Sequence, residues 1–147
     1  MLPRMSIPTT FPEVQKAVDR HLAEGNALDA GRLVERLKEK ARTTRSRELD
    51  ALAWFAKAAL EAGQRDFAAA EQSLLVSIKT GRELLKEDVD ALGHAARALG
   101  FVYARMNRPE PAAEMFLLAR SVFLKLQPAL ASEVVRFAAS CNVALQL

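Results

Sequence analysis

Few side chains of this chain could do chemistry. Histidine occurs twice, at His21 and His94, far apart in sequence, and each reads as a polar residue of a surface or groove. Cysteine occurs once, at Cys141, inside an apolar helical pattern. It reads as a small core residue, since buried structural thiols are inert. No set of His, Cys, Asp and Glu has the spacing of a metal site. Gly93 and Gly100 fall within a helical pattern and no Gly-Lys-Ser/Thr follows them, so the phosphate-cradling loop is missing. The densest charge run holds Arg32, Arg36, Lys38, Lys40, Arg42, Arg45 and Arg47. Glu35, Glu39 and Glu48 are interleaved with it and aromatic residues are not, a pattern that favours a solvated helix face over the alternative, a phosphate-backbone contact. The expectation is a chain with no catalytic residue, no cofactor and no metal, and not an enzyme.

The composition says what such a chain is built from. It has 147 residues, half of them hydrophobic, which suits one domain with a continuous core. Alanine is abundant and Gly and Pro are few, which favours helix. No run alternates with period two, so strand signals are missing. No uncharged apolar stretch reaches the ~18 residues of a membrane span, and the N-terminus lacks the apolar core of a signal peptide. The lone cysteine excludes an internal disulfide and suits a reducing compartment, so the cytoplasm is expected. The net charge of +3 is too small by itself to imply nucleic acid.

Periodicity and caps place seven helices. Residues 1–9 read as a flexible tail. Thr10-Phe11-Pro12-Glu13 is a capping box opening a helix over 11–24, with Val14, Val18 and Leu22 as its apolar line and Gly25 as its end. Asn26 can cap a second helix, carrying Leu28, Leu33, Val34 and Leu37 and fading near Ala41. Ser46 caps a third, with Gly63 as its C′ stop. Asp66 caps a long fourth helix through Phe67, Ala70, Leu74, Ile78 and Leu85, reaching Lys86. Asp88 restarts the chain as a fifth, through Leu92, Ala96, Leu99 and Tyr103. The sixth covers 109–126, with Pro109 and Pro111 in its first turn, where backbone N–H groups have no intrahelical partner. The seventh covers 128–145.

The chain is organised around Leu99-Gly100-Phe101-Val102-Tyr103, followed by Ala112, Phe116 and Ala119. Two closely packed antiparallel helices need small residues where they cross, and Gly100 with Ala112 fits that need. A second copy lies 42 residues earlier, with Trp54 at the position of Ala96, Ala58 at Gly100, Ala70 at Ala112 and Leu74 at Phe116. Lys57 and Glu61 depart from it where Leu and Tyr are expected. A third copy, a further 39 residues back, puts Val18 in the Leu slot, Leu22 in the Tyr slot and Gly31 in the small-residue slot. Residues 137–147 look like one more first helix, with Ala144 and Leu147 in the Gly and Tyr slots.

On these residues the chain resembles the tetratricopeptide repeat family, with repeats at 12–42, 51–86 and 93–126 and a terminal helix at 128–145. The steps exceed the 34 residues of the standard unit. In this they are similar to the long repeats of bacterial regulators that resemble the maltose-regulon activator. The resemblance implies an all-α, right-handed α-solenoid of about three helix pairs, with the first helix of each pair lining a concave face that binds a protein segment. Family register places Lys16 and Arg20 in that groove from the first copy. Leu52, Phe55 and Ala59 come from the second, and His94, Arg97, Phe101 and Arg105 from the third. The set describes a basic groove with an apolar floor, suited to an acidic or amphipathic peptide. Arg20 and Ala59 stand where the family's two-carboxylate clamp needs Asn, so chaperone-tail binding is not expected. The expected function is a scaffold for protein–protein interaction, an adaptor or chaperone. The alternative is a regulatory fragment of a larger bacterial signalling protein, a transcription activator or cyclic-nucleotide enzyme. The last eleven residues carry no charge, which predicts a terminal helix with exposed apolar surface, covered by a second copy or by further repeats. Membrane and nucleic-acid partners are not expected.

Overall fold

A computed structural model describes residues 7–83 and 89–147. Seven α-helices and no strand are found among the described residues: α1 (Phe11–Ala23), α2 (Ala27–Thr44), α3 (Arg47–Gly63), α4 (Phe67–Glu83), α5 (Val89–Arg105), α6 (Pro109–Leu126) and α7 (Pro128–Ser140). Each helix packs on the next in sequence. The odd-numbered helices also touch one another in series, α1 on α3, α3 on α5 and α5 on α7. They therefore form one connected layer, and each even-numbered helix packs on the two odd helices that flank it in sequence. The expected end of the fourth helix at Lys86, its Leu85 and the restart at Asp88 lie outside the described residues. So do residues 1–6 of the expected tail, while Ile7 of that tail packs against the core.

Local chemistry explains where the helices start. Thr10 caps α1 by accepting from the Glu13 N–H at 3.3 Å, and its hydroxyl donates to the Glu13 carboxylate at 2.7 Å. Ser46 accepts from the Leu49 N–H at 3.1 Å, and Asp66 accepts from the Ala69 N–H at 3.2 Å. Each bond satisfies a donor the helix itself leaves unpaired. Asn26 sits at the N-cap of α2, but its side chain makes no cap bond. Pro109 and Pro128 open α6 and α7 at the position where no N–H is needed.

Helix ends show the repeat. The four odd helices end on the same turn. A residue with positive φ follows each: Gly25 at 76°, Arg65 at 63°, Asn107 at 58° and Asn142 at 60°. In each turn the next N–H reaches five residues back, to His21, Glu61, Tyr103 and Ala138, at 2.7–2.9 Å. The left-handed residue itself bonds three back, to Leu22, Ala62, Ala104 and Ala139. This is a Schellman motif made four times. The turns are 40, 42 and 35 residues apart.

Burial follows the same register. Ala30, Ala70 and Ala112 are each fully buried three residues into their helices, and Val34, Leu74 and Phe116 follow four later at 4%, 1% and 0% exposure. Leu37, Ser77 and Ala119 come next, all at 0%. The small-residue slot of the first copy is therefore Ala30 and not Gly31. Gly31 is half-buried, and a Cβ there would meet nothing within 4 Å. The first two copies are 40 residues apart and not 39, so every assignment to the first copy moves by one position.

Gly100 is a close-approach position, as expected, but the group it admits is Phe116, whose ring lies 2.8 Å from where a Cβ would sit. Gly93 admits Phe123 in the same way, at 2.6 Å. Both pairs are seven residues apart, two helical turns, so α5 is notched twice for two rings of α6. Gly63 is not the C′ residue of α3. It is the last helical residue, a Cβ on it would collide with Leu22, and Arg65 makes the left-handed turn. Leu28 was expected on the apolar face of α2 and is 69% exposed, because it lies two residues from Ala30 and so on the far side of the helix.

The seventh helix stops at Ser140 and not at 145. Asn142 turns left-handed, and Val143 folds back to 5% exposure against the core. The expected apolar helix over 137–147 therefore does not continue past Ser140, and Ala144 and Leu147 occupy no helical slot. As expected, α7 packs on α6 and α5.

Candidate functional cleft

The odd-helix layer carries a cleft of about 400 Å³. Its walls come from α1, α3, α5 and α7, through Gln15 and Asp19, Phe55 and Ala59, Arg97 and Phe101, and Phe137. Phe55 is 4% exposed and forms floor rather than wall, its ring edge-on to Phe11 with centroids 5.0 Å apart. Ala58, Ala59 and Ala62 keep the α3 side shallow, since no longer side chain fills the space between α1 and α5.

Phe137 joins the far end. Its ring stacks on Phe101 at 5.8 Å and meets Phe116 edge-on at 5.8 Å. The Arg97 guanidinium lies 4.0 Å from the Phe137 ring centroid, a cation–π contact. Burial holds the Arg97 guanidinium below its ordinary pKa, opposed by the more distant charge of Glu133. On the opposite wall, the Asp19 carboxylate accepts from Gln15 Nε2 at 2.9 Å, an i, i+4 pair on α1. Arg97, Phe101 and Arg105 follow one another at four-residue steps, so they share one face of α5. Beyond Phe101 that face opens into a second hollow of about 590 Å³, bordered by Ala104, Arg105 and the turns at Asn107 and Asn142. Phe101 lines both spaces, so the two hollows adjoin. Arg105 lies over Phe67 at 5.5 Å.

The expected groove residues divide into three sets. Ala59, Arg97 and Phe101 stand in the cleft, Phe55 forms its floor, and Arg105 stands in the second hollow. Leu52 is 2% exposed and belongs to the core. His94 is interior as well, its side chain 13% exposed, stacked 5.4 Å from Phe11 and edge-on 5.0 Å from Phe123. Lys16 and Arg20 are exposed and do not line the cleft; Gln15 and Asp19, one position earlier in each case, do. One residue turns a helix face by about 100°, so the slip in the first copy exchanged two basic residues for an amide and an acid. The cleft is therefore basic only on its α5 side. Counting back from Gly25 as the C′ turn would have found Gln15 and Asp19 in the sequence. Phe137 does not follow from that count, since it lies five residues before the turn at Asn142 and not six or ten.

Between the layers, the residues that depart from the repeat pattern form a polar cluster. Lys57 Nζ lies 3.0 Å from Glu61 and 3.3 Å from Ser73 Oγ, and Ser73 donates to Glu61 at 2.6 Å. Lys57 also lies 5.5 Å from the Trp54 ring. In the next copy Tyr103 fills the slot of Glu61. Burial, then its hydrogen bond with Glu71, raises its hydroxyl pKa, and Arg108 ties Glu71 to the same corner at 3.2 Å. These groups satisfy one another, and none of them lines either hollow.

Among the described residues no group of three or more His, Cys, Asp and Glu could hold a metal ion, and no helix is long and apolar enough to cross a membrane. Cys141 is half-buried at the edge of the second hollow. What the arrangement offers is shape, apolar contact and a few charges. No family model, curated protein or solved structure matches the chain.

Proposed function

We propose that this chain is a tetratricopeptide-type repeat module that binds a peptide or helical segment of a partner protein in the cleft of its odd-helix layer. The helix pairs stack as a right-handed solenoid, and the odd helices form its concave face. The module acts as an adaptor or chaperone, with no chemistry of its own. The observation that carries this reading is the cleft itself, which draws one wall from every odd helix and has an aromatic and alanine floor. Such concave, mainly apolar surfaces with a few fixed polar groups are where segments dock. The four identical turns support the family assignment, because they make the pairs equivalent.

Selection of displayed random 12-residue peptides against the full chain tests the reading. Recovered peptides should bind the parent and lose binding to Phe101→Asp. They should keep binding to Leu75→Asp, which alters an exposed residue of α4 away from the cleft. Peptides indifferent to Phe101→Asp, or none recovered, would count against a segment-binding cleft.

A further inference from the structure

Arg97 is poorly served by its own protein. Its guanidinium has five donors in a fixed fork. Among the described residues no acceptor bonds to it and no carboxylate lies within ion-pair distance. Its close contact among the described residues is the Phe137 ring, and the charges of Glu133 and then Cys141 act on it. It has nevertheless lost enough water for burial to disfavour its charge. A partly desolvated guanidinium with unmet donors is stabilised by any carboxylate that reaches it. Arg105, two turns on and exposed, also lies over a ring, that of Phe67, with no ion pair among the described residues. Eight residues of helix separate the two cations by about 12 Å along the axis. Phe101 stands between them.

The opposite wall has the reverse sign. Asp19, already bonded to Gln15, repels an acidic group on the α1 side. An occupant with carboxylates is therefore drawn along α5 and held away from α1.

We propose that the cleft selects an acidic–apolar segment, with carboxylates at Arg97 and Arg105 and an apolar side chain on Phe101. In extended form the two acids would be about four residues apart, at about 3.3 Å per residue. This rests on the segment-binding reading above and adds the chemistry of the segment. The phosphate backbone of a nucleic acid is the competing anion. Asp19 on the facing wall and the aromatic and alanine floor favour the peptide.

The test uses the full chain and three sets of 12-residue peptides with the same apolar positions, carrying Glu, Gln or Lys at the polar ones. The Glu set should bind best, by tenfold or more over the Lys set, and added salt should weaken it. Arg97→Glu should remove that preference. Arg105→Glu, an exposed position that leaves the helix packing alone, should reduce it if Arg97→Glu proves unstable. Equal binding of all three sets, still lost in Phe101→Asp, overturns the charge selection and leaves the cleft reading intact. Tighter binding of a thymidylate 12-mer than of any Glu peptide overturns it in favour of a phosphate backbone. If no set binds, both readings fall.

Discussion

Gly100 is where a single atom decides the packing of the third copy. Its missing Cβ is the space that the Phe116 ring occupies. The same register pairs Ala58 with Leu74 and Val18 with Val34, all buried. As the α-helical residue of the odd helix grows, the facing residue of the even helix shrinks, so each copy fills a similar volume in a different way. Gly100→Leu should therefore destabilise the chain by about 1–3 kcal/mol or more, through overpacking against a ring fixed on its other side by Phe137. Adding Phe116→Val to Gly100→Leu should recover part of the loss, since the ring is what the new side chain meets. Chemical unfolding of the two variants measures both effects. An undisturbed midpoint in Gly100→Leu would contradict the close approach.

At the scale of the element, the four turns use different residues for one conformation. Only the first is glycine; Arg65 adopts a left-handed φ of 63°, which an L side chain holds at a cost. Asn107 and Asn142 tolerate that region better than Arg does. Arg65→Gly should relieve the strain and raise stability by up to about 1 kcal/mol, less the extra unfolded-state entropy of glycine. Arg65→Val should lower stability by at least as much. Arg65 is exposed, so neither change disturbs the core. Thermal melts of the pair give the sign, and the same melting temperature for both would show that the turn stores no strain. The Schellman turn also explains the shortened seventh helix. The apolar residues Val143 and Leu145 continue the helical spacing, but the backbone satisfies its last carbonyls by turning at Asn142 and bringing Val143 onto the core.

For the molecule as a whole, the consequence is serial stability. Most helix contacts join neighbours in the stack, with Phe11 of α1 reaching His94 of α5 as an exception, so an injury should stay mainly local. Val134 is fully buried on α7 and Val14 is fully buried on α1. Val134→Ala should raise amide exchange in α6 and α7 far more than in α1 and α2, and Val14→Ala should do the reverse. The cost of each is about 1–3 kcal/mol, the usual loss for a truncated core side chain. Exchange measured helix by helix decides it; equal acceleration in all seven helices would mean one cooperative core and not a stack.

The helices themselves were written in the sequence. Thr10, Ser46, Asp66 and the prolines at 109 and 128 state where helices begin, because capping is a local exchange of a side chain for an unpaired backbone group. The 42-residue repeat between the second and third copies was legible as well, since Ala70, Leu74, Ala112 and Phe116 are fixed by how two adjacent helices cross. Three things needed the tertiary structure. The register of the first copy slipped because Ala30 and Gly31 are both small, and only contact with a neighbouring helix shows which of them is buried. His94 was misplaced because a ring between Phe11 and Phe123 looks in sequence like a polar groove residue. The sign of the α1 wall followed from the first of these errors. A cleft is made by side chains from four helices distant in sequence, and its charge depends on which way each helix is turned. That angle is set by what the helices pack against, and no local pattern of residues records it.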